Sequence, residues 1–436
     1  MEPSTPSEVK EYPAHLKNPD LSSKLRYGWV LWWTATLALL IVSDVGSGVQ
    51  ALTQTVPDER LSLNFRSEKQ VLLEASVFSS VAELWEAGSK PLAVFVAITS
   101  IAWPYVKLLL SLYAWVMPFR HPTRREKLLV ALDLFGKWSL ADVVVFIVIM
   151  VVFRERIPLG AGYLEVWIKP QWGLYGFVVA SLSSLTSTHV ALFHHRQIIY
   201  PVKASTSSNE ETPQVLAATL QSTALRLLIP LLWLIAFVMY LMGCVLYIFE
   251  VTNTQQGVDR GTESFSVASI GKDLPDAKRD YEPAGGLIFL QFIWFILGMA
   301  VPISLLGVLA FLWCRPHTKA GMRWWLTAGE IAFAWSAGEV LVISVVLAIR
   351  EIPTFADGLI DTGCSQCYVV DSEFLALPVT LWVMGTVGTA IVASTVLTTA
   401  HRNAYSVPAL LLDGKTTDNQ NDGVGVEVVE DEAPSS

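Results

Sequence analysis

Charge is what this sequence has least of. Only 16% of its 436 residues are Asp, Glu, Lys or Arg, against about 25% in soluble globular chains. With 53% hydrophobic residues, that shortage excludes a water-soluble protein and an intrinsically disordered one. Four cysteines are too few for a disulfide-built scaffold. Nucleophile–base constellations, phosphate loops and His-rich metal motifs are all missing. The expectation is therefore no enzyme, no cofactor and no bound metal. A net charge of −9 speaks against a nucleic-acid partner.

What is present is hydrocarbon. The mean hydropathy is +0.47, and a helix needs about 20 mostly apolar residues to cross a bilayer. Eight stretches qualify: 27–43, 91–117, 128–153, 173–193, 227–249, 285–313, 324–349 and 374–400. The sixteen tryptophans are of the type that favours membrane–water interfaces. Orientation follows Lys and Arg in the short loops. Arg120, Arg124, Arg125 and Lys127 crowd residues 118–127, and Arg315, Lys319 and Arg323 crowd 315–323. Residues 350–373 hold only Arg350. Both termini are thus expected in the cytosol, with the long loops 44–90 and 251–286 outside. Loop 44–90 contains LSLNF and QVLLEASVF, which suit short strands. Seven acids stand against Lys415 in residues 413–436, which reads as a disordered tail.

The third and seventh stretches echo one another. Asp133, Trp138, Ser139 and Asp142 match Glu330, Trp335, Ser336 and Glu339 at a constant offset. Pro104 is answered by Pro302, the RERIP run at 154 by REIP at 350, and His195-Arg196 by His401-Arg402. The expected fold class is an all-α multi-pass membrane protein made of two tandem four-helix units, parallel in the membrane, with small outer loops that have room for β-strands. The units are 23–200 and 227–402. Residues 1–22 and 403–436 are expected to be disordered tails, and 201–226 a cytosolic linker.

Ionisable groups within a span usually face protein or water and are often functional. Lys107 and Asp142 lie at similar estimated depths, and a buried pair between them would offset the cost of both. Asp133 and Lys137 are four apart on one helix face, which suits an interfacial salt bridge. Asp133 and Asp142 face one cavity only if the helix bends at Gly136 or Ser139. Glu339 lacks a lysine at the place matching Lys107, so it must find another partner, contact water or hold a proton. Pro104 and Pro302 should kink their helices and free a carbonyl. Together with Lys137, Trp138, Ser139, Glu330, Trp335 and Ser336, these residues are the candidates for a transport path or a buried polar network. Cys364-Ser-Gln-Cys367 lies in an outer loop, where a disulfide is the default and a redox pair the alternative. His194, His195 and His401 read as interface anchors.

The order of these motifs resembles the paraquat-inducible protein A family of bacterial inner-membrane proteins. A turn running from Ala82 to Gly88 precedes Pro104-x-x-Lys107, then a basic loop, then Gly136-Lys-Trp-Ser-Leu-Ala-Asp142. The resemblance implies a membrane subunit of an intermembrane lipid-transport system. Its partners would be membrane lipids and a tunnel protein built from mammalian-cell-entry domains. The Cys-x-x-Cys zinc ribbons usual in that family are missing, since residues 1–26 and 196–226 contain no cysteine. The alternative is a tetraspanin-like scaffold whose outer loops bind a protein partner.

Overall fold

The computed structural model describes residues 14–17, 21–57, 70–86, 88–153, 155–158, 162–200, 213–220, 222–255, 258–277, 285–359 and 368–405. Helices carry the fold, and eight helical segments are long and apolar enough to cross a membrane. In chain order, α1 (Ser23–Val45) leads into strands β1 (Val49–Pro57) and β2 (Gln70–Ala75) and a short α2 (Val77–Glu86). The second span is α3 (Lys90–Val96) continued into α4 (Trp103–Val116), and the third is α5 (Pro122–Phe135) continued into α6 (Ala141–Val152). Strands β3 (Glu155–Pro158) and β4 (Gly162–Pro170) precede α7 (Trp172–Ile199).

A short connection follows, with β5 (Gln214–Val215) and α8 (Leu216–Thr219), and the succession then starts again. Helix α9 (Thr223–Val245) leads into β6 (Phe249–Gln255), β7 (Val258–Phe265) and α10 (Val267–Asp273). Next come α11 (Gly285–Phe295) with α12 (Val301–Cys314), β8 (Pro316–His317), and α13 (Lys319–Trp335) with α14 (Gly338–Leu359). Strand β9 (Tyr368–Phe374) and α15 (Ala376–Ala404) end the described chain.

Local details recur as well. Both α2 and α10 open on a pair of serines three apart, each bonding the backbone N–H of the other: Ser76 with Ser79, and Ser266 with Ser269. This satisfies N–H groups that a helix start leaves without partners. The sheets are ordered β2-β1-β4-β3, β5-β8 and β7-β6-β9, all antiparallel. QVLLEA is therefore a strand, and LSLNF lies outside the described residues. The prolines do not simply kink their spans. A widened π-helical turn precedes each of them, Ala97–Ala102 before Pro104 and Ile296–Ala300 before Pro302. Such a turn absorbs the hydrogen bond and the space that a proline ring denies the ordinary α-helix.

The four-stranded and three-stranded sheets lie at one end of the bundle, and the described chain ends at the other, where β5 pairs with β8. His15 packs on Trp115 and His195, and Arg323 donates to the Ala404 carbonyl. Helix α6, apolar all round beyond Asp142 in its first turn, sits in the middle against α14, as a helix with no polar face must. Many tryptophans lie in the interior and not at an interface. Trp29 stacks on Trp115 at 4.6 Å and donates to the Ser187 carbonyl, while Trp33 donates to the Leu108 carbonyl. An indole buried among helices keeps its apolar area and still satisfies its N–H.

Helices α9 and α15 approach through small residues, as membrane helices do. A Cβ on Gly385 would meet the Tyr240 backbone nitrogen at 2.4 Å, and one on Gly243 would meet Trp382 Cα at 2.5 Å. Gly385→Ala should therefore force these helices apart at a cost of about 1–3 kcal/mol. The melting temperature in detergent checks this, and an unchanged value would refute the contact.

Candidate functional site

The Trp-Ser segments of the two halves are where the helices stop. In the first half, Gly136–Leu140 winds as a 3-10 turn between α5 and α6, with Ser139 Oγ donating to the Gly136 carbonyl at 2.9 Å. In the second, α13 ends at Trp335 and α14 begins at Gly338. The bend expected at Gly136 or Ser139 is this 3-10 turn. It also separates Asp133 from Lys137, so these two do not pair with each other. Each finds a partner elsewhere.

Lys137 reaches across to the second half. Its Nζ donates to Glu339 Oε2 at 2.8 Å and to the Ser336 carbonyl at 2.8 Å, and lies over the Phe333 ring at 5.1 Å. A cation placed there answers carbonyls left open by the broken end of α13. Glu339 thus has its lysine, supplied by the other half of the chain.

Asp133 accepts from His189 Nδ1 at 2.8 Å, and Trp335 Nε1 donates to His189 Nε2 at 2.7 Å. An indole N–H only donates, so Nε2 must accept and the His189 proton must sit on Nδ1. The chain Trp335–His189–Asp133 thereby also crosses from one half to the other. Trp138 is half-buried in its turn, and its carbonyl accepts from the Ala141 N–H.

A third link lies nearer the ends of the described chain. Arg196 Nε donates to Glu126 Oε1 at 2.8 Å, and both its terminal nitrogens donate to the Glu330 carboxylate. Glu126 is also met by Tyr200 Oη at 3.1 Å and by His401 Nε2 at 3.2 Å. Residues from α5, α7, α13 and α15 thus share one ionic cluster.

Lys107 and Asp142 do not form the expected pair. The Lys107 side chain is 1% exposed and its Nζ has no hydrogen-bond partner. It lies against Gly136, where a Cβ would come within 2.6 Å of Nζ, and the charge acting on it is Asp133. Asp142 is fully buried in the first turn of α6. Its Oδ1 accepts from the Val143 N–H at 2.8 Å and its Oδ2 has no partner. The two groups differ in height: Lys107 lies level with Gly136, six residues before Asp142, and Ser100, seven residues before Lys107, is the side chain beside Asp142. Pro104 and Pro302 are buried against neighbouring helices. Cys364 and Cys367 lie outside the described residues.

Sequence reasoning passed over His189, although an ionisable side chain within a span is a functional candidate by default. It used Arg196 only as a marker of similarity and passed over Glu126 and Tyr200 altogether. These read as ordinary ends of spans until folding brings α13 and α15 beside them. His195, expected as an interface anchor, is buried and pairs with His15 at 3.1 Å.

A cavity of about 880 Å³ opens between α7 and α13. Asp133, His189, Arg196 and Glu330 make its polar side, and Val190, Phe193 and Ile331 its apolar one. Tyr200, Arg323, Trp324 and Tyr405 also line it. Beside the cluster, outside the spans, burial and the adjacent Glu126 push the Tyr200 hydroxyl up to about 12. Among the described residues no three His, Cys, Asp or Glu side chains converge as metal ligands would.

The N-terminal segment bears on the same end of the bundle. Burial, with Arg125 beside it and then His195, pushes the His15 imidazole down to about 3. A group whose folded value lies below its unfolded 6.5 binds its proton in the unfolded or released state first. Its contribution is complete above pH 6.5 and is lost as pH falls toward 3. Release of residues 14–17, read by hydrogen exchange, should rise roughly tenfold per pH unit below 6.5. His15→Gln should remove that slope, and an unchanged slope would place its origin elsewhere.

Fold and site together define an α-helical multi-pass membrane protein with ionic links between its halves. Residues 65–189, within the first half, match the family model of paraquat-inducible protein A. The match takes in Lys107, Asp133, Lys137, Asp142 and His189. Comparison with curated proteins and with solved structures gives no match.

Proposed function

We propose that the protein is the membrane subunit of a lipid-transport system, and that lipid is handled in the cavity between α7 and α13. The observation that carries this reading is the cavity's two-sided chemistry. One wall is apolar and its outer residues are open to the surroundings of the bundle: Phe193 is 47% and Ile331 41% exposed. The other wall is polar and hydrogen-bonded. A lipid has the same division, and pockets with few convergent polar groups on an apolar lining are the usual small-molecule sites.

The chain is read as two parallel four-helix units, 23–200 and 227–402, since elements and broken helices recur in the same order in both halves. The site then lies where the units meet, as in other duplicated membrane proteins. The sheets at the far end from the termini are the surface offered to a partner, which on this reading is a tunnel-forming protein with mammalian-cell-entry domains. No catalytic step is assigned. The termini are placed in the cytosol on the strength of the basic loops.

The test is a lipid carrying a photoreactive chain, reconstituted with the full-length protein. Labelling should concentrate on peptides 189–200 and 323–331. Equal labelling of the exposed face of α9 would overturn the cavity assignment. A scaffold would bind its partner and leave lipid exchange between vesicles at background.

A further inference from the structure

Two guanidinium groups line the cavity, and they differ in how far their charge is already answered. Arg196 is held by two carboxylates, Glu126 and Glu330. Arg323 is held by none among the described residues. Its Nε donates to the Ala404 carbonyl at 3.1 Å and its Nη1 to the Tyr200 carbonyl at 3.4 Å. Its plane lies over the Tyr405 ring at 5.0 Å. These contacts orient the group without neutralising it.

Its position along the cavity is equally specific. Measured along α7, the lining runs from His189 to Tyr200, roughly 16 Å at 1.5 Å per residue. Asp133, His189, Glu330 and Ile331 belong to the inner end. Arg323, Tyr200 and Tyr405 belong to the outer end, beside the end of the described chain. Trp324 is 63% exposed there, the placement an indole takes at headgroup level. The unanswered positive charge therefore stands at headgroup height, and the apolar wall of Val190, Phe193 and Ile331 begins about two helical turns inward.

We infer that Arg323 is the headgroup-selecting residue of this cavity, and that the cavity takes a phosphodiester lipid sideways from the leaflet on the side of the termini. The guanidinium, held from behind by two backbone carbonyls, presents its remaining N–H groups to a phosphodiester oxygen. A planar fork of donors suits that group better than a point charge does. The acyl chains lie along the apolar wall. This inference rests on the lipid-handling reading and adds selectivity and side of entry to it.

The experiment uses the full-length protein in detergent and three probes: a fluorescent phosphatidylglycerol, the diacylglycerol with the same chains, and soluble glycerophosphoglycerol as competitor. Wild type should bind the phosphodiester lipid at least tenfold more tightly than the diacylglycerol. Arg323→Gln should bind both lipids alike, at the diacylglycerol level, and Arg323→Lys should keep part of the preference. A preference undiminished in Arg323→Gln overturns the inference while the lipid reading stands. Binding of neither lipid by wild type removes the lipid reading itself. Displacement by glycerophosphoglycerol as effective as displacement by the intact lipid assigns the site to a soluble phosphodiester and overturns the lipid assignment. If Arg323→Gln does not stay monodisperse, Ile331→Trp narrows the apolar wall and leaves the guanidinium in place. It should weaken both lipids together, and unchanged binding would overturn the proposed seat.

Discussion

Arg196→Met should cost about 3–5 kcal/mol of stability, the range for removing one partner from a buried charge cluster. The substitution keeps length and apolar bulk but leaves Glu126 and Glu330 facing one another without their cation. His401 and the Tyr200 hydroxyl remain on Glu126, so Glu330 suffers the greater loss. Glu330→Gln in the Arg196→Met background should then recover part of the deficit, because a neutral amide tolerates burial better than an unpaired carboxylate. Thermal melting of the detergent-solubilised variants reads both effects. A melting temperature equal to wild type in the single variant would mean that this cluster does not join the halves energetically.

Lys137→Met is expected to cost about 2–3 kcal/mol. The value is below that for a fully enclosed pair because the Glu339 side chain is 28% exposed, and water screens what remains after the lysine is gone. The Ser336 carbonyl at the broken end of α13 also loses its donor. Combining Lys137→Met with Glu339→Gln should give less than the sum of the two single losses, since both remove the same contact. Strict additivity in melting would show that the 2.8 Å bridge contributes nothing. The same comparison bears on Asp142, whose Oδ1 alone makes a close hydrogen bond. On the two-unit reading Asp142 corresponds to Glu339 and Ala334 to Lys137. The second half has no lysine with which to return the bridge, and Asp142 Oδ2 stays without a partner.

Several features were legible before any coordinate. Eight spans follow from hydropathy because a bilayer leaves the chain little choice: backbone polar groups in hydrocarbon must be satisfied inside a helix. The strand QVLLEA was legible from its residue types. The turn at Gly136 was half legible, since two acids nine apart demand a bend if both face inward. Asp133, Lys137, Glu330 and Glu339 stood out by charge within apolar runs, and Trp335 by its place in the echoed Trp-Ser motif. Their partners could not. Equal height along the spans suggested Lys107 with Asp142, yet the structure sets Lys107 toward Asp133 and Lys137 toward Glu339. Sequence position misjudged height along the span by more than a turn, since Lys107 stands level with Gly136 and not with Asp142. It says nothing of the angle at which a side chain leaves an axis once the helix passes through a π or 3-10 turn.

By itself, then, the sequence determined the number of spans, the places where helices would be interrupted, and the residues too polar to face lipid. Each of these depends on interactions within a few neighbouring residues or on the transfer of one segment into hydrocarbon. Only the tertiary structure decided that His189 and Arg196 of the first half meet Trp335 and Glu330 of the second, that tryptophans fill the interior, and that a cavity lies between α7 and α13. Those outcomes depend on how α5 and α7 pack against α13 and α15, across sequence separations of more than a hundred residues. At that range pairing is set by which helix faces close the bundle with fewest unsatisfied charges, a condition on the whole fold that no single segment carries.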